Sequence, residues 1–484
     1  MFQQLKQLAS DSLIYGLSGV VTKMIGILLV PIYTRIFLPD DYGIITLITT
    51  TFFLIGVLIT FALDNSAARW FYDSSNVTEQ KKTFAVYIWF QFATATVIAI
   101  IVIIVSYFFA SHLIHKDNAP IYLILPAISL ITNILPIVLI NWYRVHRRPI
   151  ATVVFTIAST LTTIGLTVLY VIKWHWGIIG VFAAITTSTI LFSLLAMHQL
   201  WHWLSFKYFN KVRLKEMLRF AAPMVPAAIA YWLLNNTDAY FIAYFKDKSA
   251  VGLFSIGAMM ASAIGLFTGA FQQAWGPFAF SIIHNDNAKD VYAKVFLIFG
   301  SFIAVVAATL MLFAPEVLML FASPLYYDGA WVTGILGYNL VLISFSYIAI
   351  IGVSIKKTTL PYATAMLYAS IATVLLDVLL IPKFGIEGSA IATVLAQIIV
   401  PVYIFYKGQK VYFIPYEFKK VAILLISFLV VAVCVRKVQF SSLYLQVGIK
   451  LLFTLAFLAI ITIVHFKSLK KLFTKIKTLK KVEV

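Results

Sequence analysis

Runs of about 20 apolar residues return along the whole length of this chain, and that recurrence limits its fold more than any single motif does. A run of this length is what an α-helix needs to cross a bilayer. Of the 484 residues 62% are hydrophobic and 11% charged, whereas a soluble domain carries roughly 25% charged residues. Most of the surface is therefore built for lipid. The first half holds runs at about 11–34, 44–67, 84–109, 121–143, 151–172 and 177–200. The second half holds runs at about 218–241, 250–275, 292–314, 331–353, 361–382 and 386–406, and two more follow near 420–436 and 443–465. The expected fold is an all-α integral membrane protein with about fourteen transmembrane helices.

Two short patterns occur twice. Tyr42-Gly43-Ile44-Ile45 is echoed by Val251-Gly252-Leu253-Phe254, and Gly177-Ile178-Ile179-Gly180 by Gly385-Ile386-Glu387-Gly388, at a separation of about 208–209 residues. Six spans per half is an even number, so both halves enter the bilayer from the same side and the repeat is parallel. A central cavity between two six-helix bundles follows as an expectation. The domains read as a first bundle over 1–200, a basic cytoplasmic linker over 201–219, a second bundle over 220–406, two extra helices over 407–465, and a basic amphipathic tail over 466–484. In that tail Leu469, Leu472, Phe473, Ile476 and Leu479 share one helical face, which suits the anionic cytoplasmic leaflet.

Lysine and arginine orient the chain. With the N-terminus inside, 27 of the 37 Lys and Arg residues fall on the cytoplasmic side and 8 outside, and only Lys23 and Lys450 lie within spans. This bias predicts both termini in the cytoplasm, and it accounts for the +19 net charge without a nucleic-acid partner. The single cysteine, Cys434, sits inside a span, so neither a disulfide framework nor a zinc site is expected within the chain. The first apolar run is a full-length span and not a cleavable signal, and the destination is an inner or plasma membrane.

Ionisable residues inside a bilayer are costly, so they are candidates for function. Lys23 lies near the middle of the first span, too deep to snorkel easily, and should face a cavity. Arg35 ends that span on the outer side, where it can guide an anion or anchor the interface. Asp64 and Arg69 stand at the cytoplasmic end of the second span and are candidates for the cavity entrance. Asn235, Asn236, Thr237 and Asp238 form a polar run in the seventh span that cannot all face lipid. Asp238 is expected to hydrogen-bond hydroxyl groups of a ligand, to pair with Arg35, or to serve helix packing. Asp377 in the eleventh span is the candidate for coupling to a proton or sodium ion. Glu316 and Lys450 lie nearer span ends and rank lower. Gln91, Asn133, Gln272, Gln273, Asn339 and Gln397 add uncharged polar groups in or near spans. Pro31, Pro126, Pro136, Pro223 and Pro226 are expected to bend helices.

The segment from Gly26 through Pro31-Ile32-Tyr33-Thr34-Arg35 and Leu38-Pro39-Asp40-Asp41-Tyr42-Gly43 closely resembles the opening of Wzx-type polysaccharide-lipid flippases, members of the multidrug/oligosaccharidyl-lipid/polysaccharide exporter superfamily with a MATE-like fold. Arg219-Phe220-Ala221-Ala222-Pro223 resembles the start of that family's second half. Asp238 with Phe241-Ile242 is similar to its seventh-helix motif, although Ala239 replaces the basic residue that usually follows the Asp. Gln272-Gln273-Ala274-Trp275-Gly276-Pro277-Phe278 and Gly385-Ile386-Glu387-Gly388-Ser389-Ala390 resemble the end of its eighth helix and the loop before its twelfth. The resemblance covers nearly the whole chain. It implies transfer of an undecaprenyl-pyrophosphate-linked oligosaccharide from the cytoplasmic to the outer leaflet of a bacterial inner membrane by alternating access, for O-antigen or exopolysaccharide assembly. Implied partners are the lipid-linked glycan, membrane lipids, and the polysaccharide polymerase and chain-length machinery. Lipid II flippases carry a basic residue near the place of Lys23, but their Arg-Asp pair further along is replaced here by Leu29-Val30, which argues against lipid II as the substrate.

Elementary physics agrees with a polar cargo, since a pyrophosphate and a glycan cannot cross hydrocarbon without a hydrated, partly cationic path. No Walker A motif, zinc-ligand spacing or nucleophile elbow is present, so the chain reads as a transporter without cofactors and not as an enzyme. Two rival readings predict different things. A MATE-like drug/cation antiporter calls for a smaller cavity dominated by acidic residues. A non-transporting scaffold of an envelope-synthesis complex tolerates the loss of Lys23 and Asp238.

Overall fold

The computed structural model describes residues 19, 21, 23–24, 26–114, 116–354, 360–438 and 442–479. All regular structure among the described residues is helical. Helix α1 (Gly26–Ile36) is the continuous described stretch of the first span. The second span is split into α2 (Pro39–Thr60) and α3 (Leu63–Tyr72), the third is α4 (Val77–Ile114), and the fourth is split into α5 (Ile121–Thr132) and α6 (Ile134–Val145). The fifth is α7 (Pro149–Thr167), which ends in a π-helical turn (Val168–Lys173), and the sixth is α8 (Gly177–Leu200). Helix α9 (Lys211–Ala221) leads into the seventh span, made of α10 (Val225–Asn236) and α11 (Asp238–Phe245). Then come α12 (Lys248–Ala261), α13 (Ile264–Ser281), α14 (Ala288–Phe321), α15 (Ala330–Ser354), α16 (Leu360–Val411), α17 (Phe418–Lys437) and α18 (Leu443–Leu479).

Eleven helical stretches are long and apolar enough to cross a membrane, and α12 with α13, bent by 49°, makes a twelfth. The 52 residues of α16 hold two of the expected spans. Ser389 Oγ lies 3.4 Å from Asp377 Oδ1, twelve positions earlier, a separation of about 18 Å along a continuous helix. The chain therefore folds back between them, at Gly385 (φ 60°, ψ −138°). With α1 counted, each of the fourteen expected spans has a counterpart. Helix α18 continues unbroken from its span to Leu479; residues 480–484, and the side chains of the tail's expected apolar face, lie outside the described residues.

The repeated patterns mark places that favour glycine. Gly177 and Gly385 both have positive φ, 55° and 60°, and each opens the helix that follows a reversal. The other repeat is a reciprocal close approach. A Cβ on Gly43 would overlap the carbonyl of Lys248, and one on Gly252 would overlap the carbonyl of Pro39, so the first turns of α2 and α12 touch backbone to backbone. Helix α2 begins there because Pro39 suits the first helical turn and Asp40 and Asp41 sit at its positive end. Lys116 then holds Asp41 at 2.8 Å.

The helix breaks follow proline only in part. Asn133 interrupts the fourth span between Pro126 and Pro136, and a 3-10 turn (Ala222–Met224) carries Pro223. Helix α1 runs through Pro31 without a break. The second span breaks without proline, at Phe61 and Ala62, both in the left-handed region with φ 47° and 53°.

By packing, the chain forms two compact units, residues 1–255 with 366–389 and residues 256–365 with 390–484. In the first, Leu63, Phe71, Phe84, Val138 and Leu139 from α3, α4 and α6 form one core, and Phe37, Ile44, Ile178 and Phe182 form another. In the second, α14 is central and meets α15 and α17 through Ile303, Met311, Val341, Ile348, Val421 and Phe428. Its inward face carries Gly300, Ser301, Ala304, Ala307 and Ala308, while Phe302, Met319 and Leu320 lie exposed. Small residues inside and large ones toward lipid let membrane helices approach closely, where packing and not water drives association.

Candidate functional site

The two acids expected to act separately meet in the first unit. Asp377 is 0% exposed and Asp238 5% exposed, and their carboxyl groups lie within hydrogen-bonding reach of each other. Ser389 Oγ donates to Asp377 Oδ1 at 3.4 Å, while Asp377 Oδ2 accepts no geometrically sound hydrogen bond among the described residues. Three local features assemble the pair. Thr237 separates α10 from α11 and leaves Asp238 in the first turn of α11, where the positive end of the helix dipole favours an anion. The fold-back at Gly385 brings Ser389 across from Asp377. The preceding amides turn inward on their own helix, Asn235 Nδ2 donating to Tyr231 O at 2.7 Å and Asn236 Nδ2 to Trp232 O at 3.1 Å. With those protons engaged, the amide oxygens remain as acceptors. Two buried carboxyl groups in contact suit a proton or a small cation held between them.

The expected basic residues are not paired with these acids. Arg35 is exposed and takes part in no ion pair among the described residues, so the expectation that it pairs with Asp238 is corrected: Asp238 faces Asp377 instead. Lys23 is also exposed and forms no ion pair among the described residues. Asp64 stands in the first turn of α3 beside the fully buried Tyr87, whose hydroxyl accepts from Asn141 Nδ2 at 2.7 Å. The left-handed Phe61-Ala62 step just before it turns α3 away from α2. Arg69 sits in the last turn of α3 and stacks its guanidinium over Phe220 at 5.1 Å and Trp70 at 5.8 Å.

Two features escaped the sequence reading. Ser389 went unassigned, although it directly follows the Gly385–Gly388 pattern. Lys450, ranked low for its place near a span end, is 1% exposed and forms an ion pair with Glu316 at 2.6 Å in the second unit. Gln446 Nε2 donates to the same Glu316 oxygen at 3.0 Å. Its spacing of one turn from Lys450 was the available signal.

A family model described as "Polysaccharide biosynthesis protein" matches residues 8–283. No curated protein matches the chain in sequence. Among solved structures, the lipid II flippase MurJ in its inward closed conformation is similar in fold, with a TM-score of 0.70 at 17% identity over 94% of this chain and 99% of that one. An outward-facing multidrug resistance MATE transporter of the MOP superfamily gives 0.60 at 15% identity over 87% of this chain and 98% of that one. An inward-facing MATE transporter gives 0.57 at 16% identity over 87% and 95%. At these identities the likeness is one of fold.

Proposed function

This chain belongs to the polysaccharide biosynthesis protein family, and from that premise we propose that it flips an undecaprenyl-pyrophosphate-linked oligosaccharide from the cytoplasmic to the outer leaflet of a bacterial inner membrane by alternating access. The observation that carries the reading is the family match over residues 8–283. The all-helical membrane fold supports it, because that fold is shared with a lipid II flippase and with a multidrug resistance transporter.

In this reading both termini are cytoplasmic, and the repeats 1–200 and 220–406 are the two bodies that rock. Asp64 and Arg69 line the cytoplasmic entrance. Lys23 offers a point charge to the pyrophosphate, a role supported by its lack of an ion-pair partner among the described residues. Arg35 receives the pyrophosphate toward the outer side. Asn235 and Asn236 offer amide oxygens to sugar hydroxyls. Asp377 and Asp238 take up the coupling proton or sodium ion, so that the gradient of that ion drives the cycle. The polymerase and chain-length machinery then act on the delivered glycan.

The acidic pair is what a drug/cation antiporter also needs, and it favours that as the second reading. One experiment separates the two. Cells lacking the protein are extracted, and undecaprenyl-linked glycans are measured by mass spectrometry. Accumulation of one glycan, reversed by restoring the gene, supports the flippase. No accumulation, together with new sensitivity to cationic drugs, supports the antiporter.

A further inference from the structure

Within the first unit a cavity of about 410 Å³ opens among α1, the α5/α6 break, α7 and α8, and none of its lining residues is charged. Its size falls within the range of about 300–1,000 Å³ typical of small-molecule sites. Irregular backbone at membrane depth is tolerated where it lines such a space, and the fourth span breaks here at Asn133. Pro136 has no N–H, so the carbonyl of Thr132 lacks its helical donor. The Asn133 amide is exposed and has no hydrogen-bond partner among the described residues.

Hydroxyls make up much of the remaining polar wall. Ser188 Oγ accepts from Thr163 Oγ1 at 2.8 Å and donates to Ser159 O at 3.3 Å. Thr189 Oγ1 donates to Thr186 O at 2.9 Å and lies 2.7 Å from Thr132 Oγ1. A hydroxyl has one proton; once it is engaged, the group presents lone pairs only. The cavity is thus neutral and mostly apolar, with a few hydroxyl acceptors and a donor-bearing amide at the break. Phe155 and Phe192, packed edge to face at 5.1 Å, supply an apolar wall. A ring with hydroxyl donors on its edge, apolar C–H faces and no charge matches this lining. A phosphate does not, since no lining side chain is cationic.

Gly26 of α1 lines the cavity, and a Cβ placed on it would meet nothing within 4 Å. Lys23 stands three positions earlier, on the same helical face and about 4.5 Å along the axis. We infer that this cavity is the subsite for the first neutral sugar ring of the cargo, next to Lys23 at the pyrophosphate. The inference rests on the flippase reading and deepens it.

The test fills the cavity without disturbing its walls. Gly26→Leu projects into open space, and Gly448→Leu, whose added Cβ also meets nothing within 4 Å and which does not line the cavity, is the control. Thr163→Val with Thr189→Val removes acceptors at nearly constant volume. Each variant is expressed in cells lacking the protein; lipid-linked glycan is measured by mass spectrometry and membrane protein by immunoblot. Gly26→Leu is expected to leave the glycan accumulated as in the deletion, Gly448→Leu to clear it, and the double valine variant to export about tenfold more slowly. Wild-type export by Gly26→Leu overturns the subsite and leaves the flippase reading standing. A block by Gly26→Leu with wild-type export by the double valine variant also overturns it, since the cavity then holds an apolar group. If Gly26→Leu is absent from the membrane, the double valine variant decides: slow export supports the subsite and wild-type export overturns it. A deletion strain that accumulates no glycan overturns the flippase reading and the subsite together.

Discussion

The two buried charge pairs of this protein are built on opposite principles. In the second unit Glu316 meets Lys450 at 2.6 Å with Gln446 alongside, so each charge has an answering group. In the first unit Asp377 meets another acid, Asp238, and one long hydrogen bond from Ser389. The salt bridge neutralises both charges and ties α14 to α18, although Glu316 Oε2 accepts no hydrogen bond among the described residues. Two carboxyl groups in one buried place are complete only with a proton or cation that can also leave. Burial therefore does not distinguish the two pairs; the sign of the neighbour does.

Breaking the acidic pair should have the largest effect. Asp377→Asn and Asp238→Asn are each expected to abolish export while the purified protein melts within a few degrees of wild type, measured by glycan accumulation and by thermal unfolding in detergent. Lys23→Ala should behave the same way, with abolished export and normal membrane levels, and Lys23→Arg should retain part of the activity; full export by Lys23→Ala would remove the cation from the cavity. Lys450→Met should do the reverse. It leaves Glu316 as an unanswered buried charge and is expected to cost about 3–5 kcal/mol of stability, and Lys450→Met with Glu316→Leu should recover most of that loss, read as melting temperature. If Lys450→Met instead lost export with no loss of stability, the contrast between the pairs would fail. Ser389→Ala sharpens the picture least: its bond is at the long end of hydrogen-bond geometry, so about 1 kcal/mol in cation affinity and a tenfold or smaller drop in export are expected.

Much of the fold could be read along the chain, because apolar runs report bilayer crossing directly and glycine repeats report backbone constraints directly. Gly177 and Gly385 were legible as a pair before their shared positive φ was seen, and so were Gly43 and Gly252 before their reciprocal contact was seen. The candidate acids were legible too, since an ionisable residue in an apolar run stands out at once. Their partnership was not. Asp238 and Asp377 lie in the seventh and eleventh spans, far apart in the sequence, and no local pattern says which of many helix faces will meet. The same limit hid the Glu316–Lys450 bridge, and it allowed Arg35 to be taken as a partner for Asp238. The break at Phe61-Ala62 was illegible for another reason: neither residue favours a left-handed conformation, so only surrounding packing can hold them there.

By itself the sequence determined that this chain lives in a membrane as a helical bundle with an internal repeat, because length, hydropathy and glycine spacing act locally and survive any arrangement of the helices. The tertiary structure alone decided which buried charges meet an opposite charge and which meet another acid, because that depends on contacts between helices far apart in the chain, where a one-turn shift would change every neighbour.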